Sequence, residues 1–232
     1  MDSPSALSGR RPLLLGHRGA RRYAPENSLT AFQLALDHGC DGFEFDVRLT
    51  ADRRSIICHD PRLAGRAVSR NSYDRLSASV KSPPPCLPDV LSAFADRAFL
   101  DIELKVAGLE AGLAALLRAH PPQRGYFVSS FLPEVIEELH RANSSLPLGL
   151  ICDTQRKLAR WRTLPVSAVF LELALVTPRV FDQLRAGDKE VFVWTVNRPR
   201  DMLRLAQLDA AGIISDDTKL LAQTLAANSR YK

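Results

Sequence analysis

Two histidines, three carboxylates, an arginine and a lysine are the residues of this sequence best suited to chemistry. His17 and Arg18 follow three leucines inside Gly16-His17-Arg18-Gly19, Glu44 and Asp46 alternate with phenylalanines in GFEFD, His59 stands in CHD, and Glu103 and Lys105 close LDIELK. A pair of imidazoles suits a general base and a general acid working on one bond. Arg18 and Lys105 suit a phosphate, the first by its planar fork and the second as a point charge. Glu44 and Asp46 lie two apart on an extended segment and so share one face, with Phe43 and Phe45 on the other. Glu103 alternates in the same way, with Ile102 and Leu104 opposite. Carboxylates aimed into an interior are costly unless positive charge meets them. One divalent ion answers that need, and an all-oxygen set favours Mg2+ or Ca2+ over zinc. Salt bridges from Arg18 and Lys105 without a metal are the alternative.

Other candidates read more blandly. His38, His120 and His140 sit at helix ends, where a cationic ring suits the dipole. Trp194 is either core packing or the apolar side of a substrate site. Ser130, Phe131 and Glu172 read as structural.

These groups meet only if the elements bearing them converge. Short apolar runs at 13–17, 42–46, 99–104, 126–130, 147–151, 168–172, 190–195 and 212–215 read as strands. Helical spacing follows them at 28–38, 88–96, 108–119, 133–143, 155–162, 178–186, 199–208 and 217–227. Asn27 or Ser28 caps the first helix, Thr177 precedes Pro178, and Pro133 and Pro199 fit early helix positions. This alternation predicts a (β/α)8 TIM barrel over a single domain, 1–232. An open doubly wound sheet is the other candidate, but no G-x-G-x-x-G loop follows the first strand. In a barrel the chemistry gathers at the carboxyl ends of the strands, which is where His17, Glu44, Asp46, Glu103 and Lys105 fall.

About forty residues between the second strand and its helix exceed an ordinary connection. Their start, VRLTADRRSIICHD, reads as a β-hairpin turning near Asp52. That register sets Phe45 opposite His59 and returns His59 beside Glu44 and Asp46. The rest, 61–86, rich in Ser, Arg and Pro, reads as an irregular cap, closing an insertion over about 47–86 where selectivity is expected.

Composition narrows the class. Hydrophobic residues make up 46% and charged residues 25%, the values of a globular protein rather than a membrane or disordered chain. The net charge is +5, and only six of the 31 basic residues are lysines. The arginines look scattered, without a basic block, so nucleic acid is not the expected partner. The four cysteines show no metal-finger spacing and read as thiols in a reducing compartment. With no apolar leader in MDSPSALSGRRP and no run of transmembrane length, the expected setting is cytoplasmic, with no integral membrane segment. Oligomeric state is not legible.

In order along the chain, GHRG at 16–19, PENS at 25–28, GFEFDVRLT at 42–50, CHD at 58–60 and LPDVL at 87–91 resemble one family. LDIELK at 100–105, SSF at 129–131, WTVN at 194–197 and GIISD at 212–216 continue the match. That family is the glycerophosphodiester phosphodiesterases, metal-dependent TIM barrels, and the similarity spans nearly the whole chain. The resemblance implies hydrolysis of a small-molecule glycerophosphodiester to sn-glycerol 3-phosphate and an alcohol. It implies Glu44, Asp46 and Glu103 on the metal, His17 and His59 as acid–base pair, and Arg18 and Lys105 on the phosphate. The implied route is attack by the neighbouring glycerol hydroxyl on phosphorus, followed by opening of the cyclic phosphate with water. Ser28 and Ser215 stand where the family usually has Thr, and Asp52-Arg53 where it has a D-G pair. The segment 61–86 follows the family pattern only through Leu63. A lysophospholipase D-like activity, a sphingomyelinase D-like lyase and a non-catalytic phosphodiester-binding barrel share the same constellation. The lyases are usually secreted and disulfide-bonded, and binding alone needs no acid–base pair.

Overall fold

The alternation of apolar runs and helical stretches folds into a closed parallel barrel. The structure, a computed structural model, describes residues 11–227. The leaderless reading of the N-terminus and both ends of the expected domain fall outside those residues, apart from Arg11 and Pro12. The elements, in order, are β1 (Leu13–His17), α1 (Leu29–Asp37), β2 (Gly42–Leu49), β3 (Ser55–Ile57), β4 (Arg62–Leu63), β5 (Arg66–Ala67), α2 (Tyr73–Ser77) and α3 (Leu87–Phe94). They continue with β6 (Phe99–Leu104), α4 (Glu110–Ala119), β7 (Tyr126–Ser130), α5 (Pro133–Ala142), β8 (Leu148–Cys152), α6 (Gln155–Leu158) and β9 (Ala168–Glu172). Last come α7 (Pro178–Ala186), β10 (Glu190–Trp194), α8 (Pro199–Gln207), β11 (Gly212–Ser215) and α9 (Thr218–Ala226).

Strands β1, β11, β10, β9, β8, β7, β6 and β2 pair in that order, all parallel, and β1 pairs with β2 to close the ring. The open sheet is thereby excluded. Most elements lie where the spacing puts them. β8 starts at Leu148 rather than 147, because Pro147 has no N–H for the ladder; its carbonyl still accepts from Val128 N at 2.9 Å. The helix expected over 155–162 is α only to Leu158 and then a 3-10 turn. β10 ends at Trp194, one residue short of the expected end.

Strand alternation divides the core. Outward residues of β2 such as Phe43 and Phe45 pack with Phe32 of α1, and Phe43 also with Phe94 of α3. Inward, Phe99, Phe127, Phe170 and Phe192 fill the lower barrel with Leu15, Ile151 and Ile214. The Phe170 and Phe192 rings stack with centroids 4.7 Å apart. This apolar plug leaves only the carboxyl end of the barrel free for polar side chains.

The hairpin forms with Val47 opposite Ile57, Arg48 opposite Ile56 and Leu49 opposite Ser55, the register that sets His59 level with Phe45. Residues 61–86 are more ordered than expected: β4 pairs with β5, a 3-10 turn spans Val68–Arg70, and α2 follows. Their own core of Ile56, Cys58, Val68 and Leu76 fixes the insertion to the hairpin. Among the described residues no helix is long and apolar enough to cross a membrane.

Candidate active site

His17 ends β1 and Arg18 begins the turn after it. Arg18 takes a left-handed φ of +53°, a conformation that costs a non-glycine residue on the order of 1 kcal/mol. The turn is held because the Arg18 N–H donates to Glu44 Oε2 at 2.9 Å. The second glycine of GHRG brings the turn onto α1. Gly19 has φ +78°, and a Cβ there would lie 2.6 Å from the Ala31 carbonyl carbon.

Glu44, Asp46 and Glu103 are all buried, and each offers one oxygen within 4.8 Å of the others. Positive charge reaches them unevenly. Asp46 takes Lys105 Nζ at 3.4 Å, Arg18 Nε at 3.2 Å and a hydrogen bond from Asn27 Nδ2 at 2.8 Å. Burial opposes its charge, yet Lys105 and Arg18 hold Asp46 below the usual carboxylate range. Lys105 also meets Glu103 Oε1 at 2.6 Å. Even so burial, with Asp46 next, raises Glu103 to about 7. Glu44 is driven well above its ordinary value by burial, then by Asp46 and Glu103. Its Oε1 is buried with no hydrogen-bond partner. The salt-bridge alternative therefore leaves this set undercharged. A hard divalent cation fits the three oxygens and the orphaned atom.

The two histidines are fixed in the same sense and exposed differently. His17 Nδ1 lies 2.7 Å from Asp216 Oδ1, and its Nε2 lies 3.9 Å from Glu44 Oε2. A carboxylate oxygen only accepts, so the proton sits on Nδ1 and neutral His17 turns a bare Nε2 to the cavity. Burial, the largest influence, lowers the His17 pKa against the pull of Asp216. Asp216 is itself clamped: Asn197 Nδ2 donates to its Oδ2 at 2.7 Å, and Asn197 Oδ1 accepts from the Asp216 N–H and the Ser215 hydroxyl, each at 3.0 Å. His59, at the rim, places Nδ1 2.8 Å from Asp60 Oδ1, and Arg48 Nε donates to its carbonyl at 2.8 Å.

A cavity of about 120 Å3 lies between these groups. One wall is His17, Arg18, Glu44, His59, Glu103 and Lys105; the other is Phe131, Ile151, Phe170, Trp194 and Ile214. Trp194 both packs and faces the cavity. Its indole N–H donates to Phe170 O at 3.2 Å, its ring meets Phe131 edge-on at 5.7 Å, and it lines the cavity. The wider groove between α1 and α3, about 420 Å3, has one carboxylate and no cation in its lining.

Five further residues belong to the site. Asn27, expected as a possible helix cap, leaves that role to Ser28 and reaches Asp46 instead. Asp101, beneath Glu103 on the same face of β6, accepts from Ser129 Oγ at 2.6 Å, and burial raises it well above its usual range. Glu26 bridges Arg18 and Arg21 at 2.9 and 2.8 Å. Asn197 and Asp216 stand in the WTVN and GIISD motifs, but nothing in the spacing pairs them with His17. Glu172 sits at the end of β9 and is absent from the cavity lining.

The sequence model of the glycerophosphoryl diester phosphodiesterase family matches residues 17–79 and 110–220. A glycerophosphodiester phosphodiesterase of Caldanaerobacter subterraneus subsp. tengcongensis is 26% identical over 233 residues, covering 90% of this chain and 96% of that protein. Among solved structures, a glycerophosphodiester phosphodiesterase from Agrobacterium tumefaciens superposes with a TM-score of 0.81 at 25% identity, over 91% of this chain and 99% of the other. An Oleispira antarctica phosphodiesterase in complex with the product sn-glycerol-3-phosphate gives a TM-score of 0.82 at 21% identity, over 95% and 99% of the two chains.

Proposed function

The chain belongs to the glycerophosphoryl diester phosphodiesterase family, and from that premise we propose that it hydrolyses glycerophosphodiesters to sn-glycerol 3-phosphate and an alcohol. The observation that carries the reading is the meeting of the carboxylate cluster and both histidines on one small cavity. Glu44, Asp46 and Glu103 would hold one divalent cation, Mg2+ or Ca2+, which when bound supplies Lewis-acid polarisation of a phosphoryl oxygen. Arg18 and Lys105 bind the phosphate, and each already reaches toward the acidic cluster as a free cation would.

His17 and His59 divide the proton transfers by position. Neutral His17 removes the proton of the glycerol hydroxyl next to the phosphodiester through Nε2, and that oxygen attacks phosphorus. The bond from phosphorus to the alcohol breaks, and His59, at the solvent side where the alcohol must leave, gives that oxygen a proton. Water then opens the cyclic phosphate with the roles reversed: His59 takes its proton, and His17 returns one to the glycerol oxygen. One water is consumed and both histidines end as they began. Asp216 and Asn197 keep the His17 ring oriented through the cycle, and Trp194 and Phe131 pack against the substrate's carbon skeleton. The four cysteines are free thiols, which supports the cytoplasmic setting.

His17→Ala and His59→Ala test the reading in a coupled assay for glycerol 3-phosphate from glycerophosphocholine. Each is expected to lose at least about 100-fold in kcat. Turnover left intact by either change would remove that residue from the mechanism.

A further inference from the structure

The charge of this protein is not spread over it. Residues 61–86 hold five cations, Arg62, Arg66, Arg70, Arg75 and Lys81, and one carboxylate, Asp74. The segment therefore carries a net +4 of the +5 on the whole chain. They are spaced four to six residues apart, so they form no basic block in the sequence. All five are exposed. Arg62 is occupied by the Gly65 carbonyl of its own hairpin, while Arg66, Arg70, Arg75 and Lys81 have no carboxylate partner among the described residues. Asp74 is paired from outside the segment, by Arg54 at 3.8 Å.

The insertion that carries these cations packs on the hairpin that returns His59 to the site. The core of Ile56, Cys58, Val68 and Leu76 holds it, and the Val68 N–H donates to Pro61 O at 3.0 Å, two residues from His59. The cavity, about 120 Å3, has His59, just before the insertion in sequence, in its lining. The surface lacks the exposed aromatic platforms of a nucleic-acid binder: Tyr73 is half-buried, with its hydroxyl on Pro84 O at 3.1 Å and Arg54 over its ring.

We propose that residues 61–86 dock the barrel mouth onto a bilayer bearing anionic phospholipids, so that lipid-borne phosphodiesters such as lysophospholipids reach the cavity. The docking rests on charge and position alone; the lysophospholipid substrate rests also on the phosphodiesterase reading. Each cation near an anionic bilayer strengthens adsorption several-fold.

Sedimentation of the full chain with vesicles tests this, using phosphatidylcholine alone or mixed with phosphatidylglycerol. The protein is expected to bind the mixed vesicles at low salt, to release at high salt, and to ignore neutral vesicles. Arg66→Gln/Arg70→Gln/Arg75→Gln should weaken binding by roughly 100-fold while leaving hydrolysis of soluble glycerophosphocholine unchanged. Equal binding to both vesicle types, undiminished binding by the triple variant, or stronger capture of duplex DNA than of anionic vesicles would each overturn the docking. Wild-type protein that turns over glycerophosphocholine but never binds vesicles fails on docking alone. Protein that docks but hydrolyses neither glycerophosphocholine nor lysophosphatidylcholine fails on the phosphodiesterase reading.

Discussion

Replacing Glu103 with glutamine is expected to remove a particular pH dependence of stability from the metal-free protein. Glu103 is buried beside Asp46, and burial first, then Asp46, raises it from 4.5 to about 7 against the pull of Lys105. Its proton is held more tightly in the fold than in the unfolded chain. The stability it contributes is thus whole below about pH 4.5 and is lost as pH rises through about 7. Between about pH 5 and pH 7.5 the linkage amounts to about 2 kcal/mol. For a chain of this size that corresponds to a Tm change of about 5 °C. Scanning calorimetry in EDTA on wild type and Glu103→Gln at both pH values isolates the group, because Asp46 and His17 titrate in both proteins. The wild type should lose about 5 °C relative to the variant on going to the higher pH. Ca2+ or Mg2+ should restore that loss at the higher pH and do less at the lower, where protons compete for the same oxygens. A gap between the two proteins that does not change with pH would refute the crowding of like charges inferred at this cluster.

Two further outcomes follow from single contacts. Asp216→Asn takes away the acceptor that keeps the proton on His17 Nδ1; kcat should fall between about 100- and 10,000-fold with KM little changed, and 15N NMR should show His17 leaving the Nδ1–H tautomer. An unchanged tautomer would make Asp216 only structural. Gly19→Ala forces a Cβ into the Ala31 backbone at φ +78° and should cost about 3 kcal/mol or more, read as a lower urea midpoint with unchanged slope.

Much of this was legible because periodicity carries topology. Alternation in GFEFD and LDIELK placed Glu44, Asp46 and Glu103 inside the barrel, and the polar turn at 51–54 set the hairpin register that returns His59. What stayed hidden depended on contacts between distant loops. Asn27 looked like a cap because Asn commonly caps, and only the fold shows Asp46 drawing its amide away. Asp101 shares the inward face with Glu103, yet alternation alone could not tell a ligand from a carboxylate held by Ser129. Asp216 meets His17 only because closure of the ring brings the first and last strands side by side. The close approach of Gly19 to α1 stayed hidden for a related reason: the backbone it meets is at Ala31, some twelve residues onward, which local sequence does not reveal. The order within 61–86 escaped because its core borrows Ile56 and Cys58 from the preceding hairpin.

The most direct test of the account is release of glycerol 3-phosphate from glycerophosphocholine by the purified protein, first in EDTA and then with Mg2+, Ca2+ or Mn2+ restored. The account predicts turnover that EDTA abolishes, that at least one of these ions restores, and that Glu44→Gln cannot recover. Turnover indifferent to EDTA would contradict the role given to Glu44, Asp46 and Glu103, and no product with any of the ions would contradict the reaction itself.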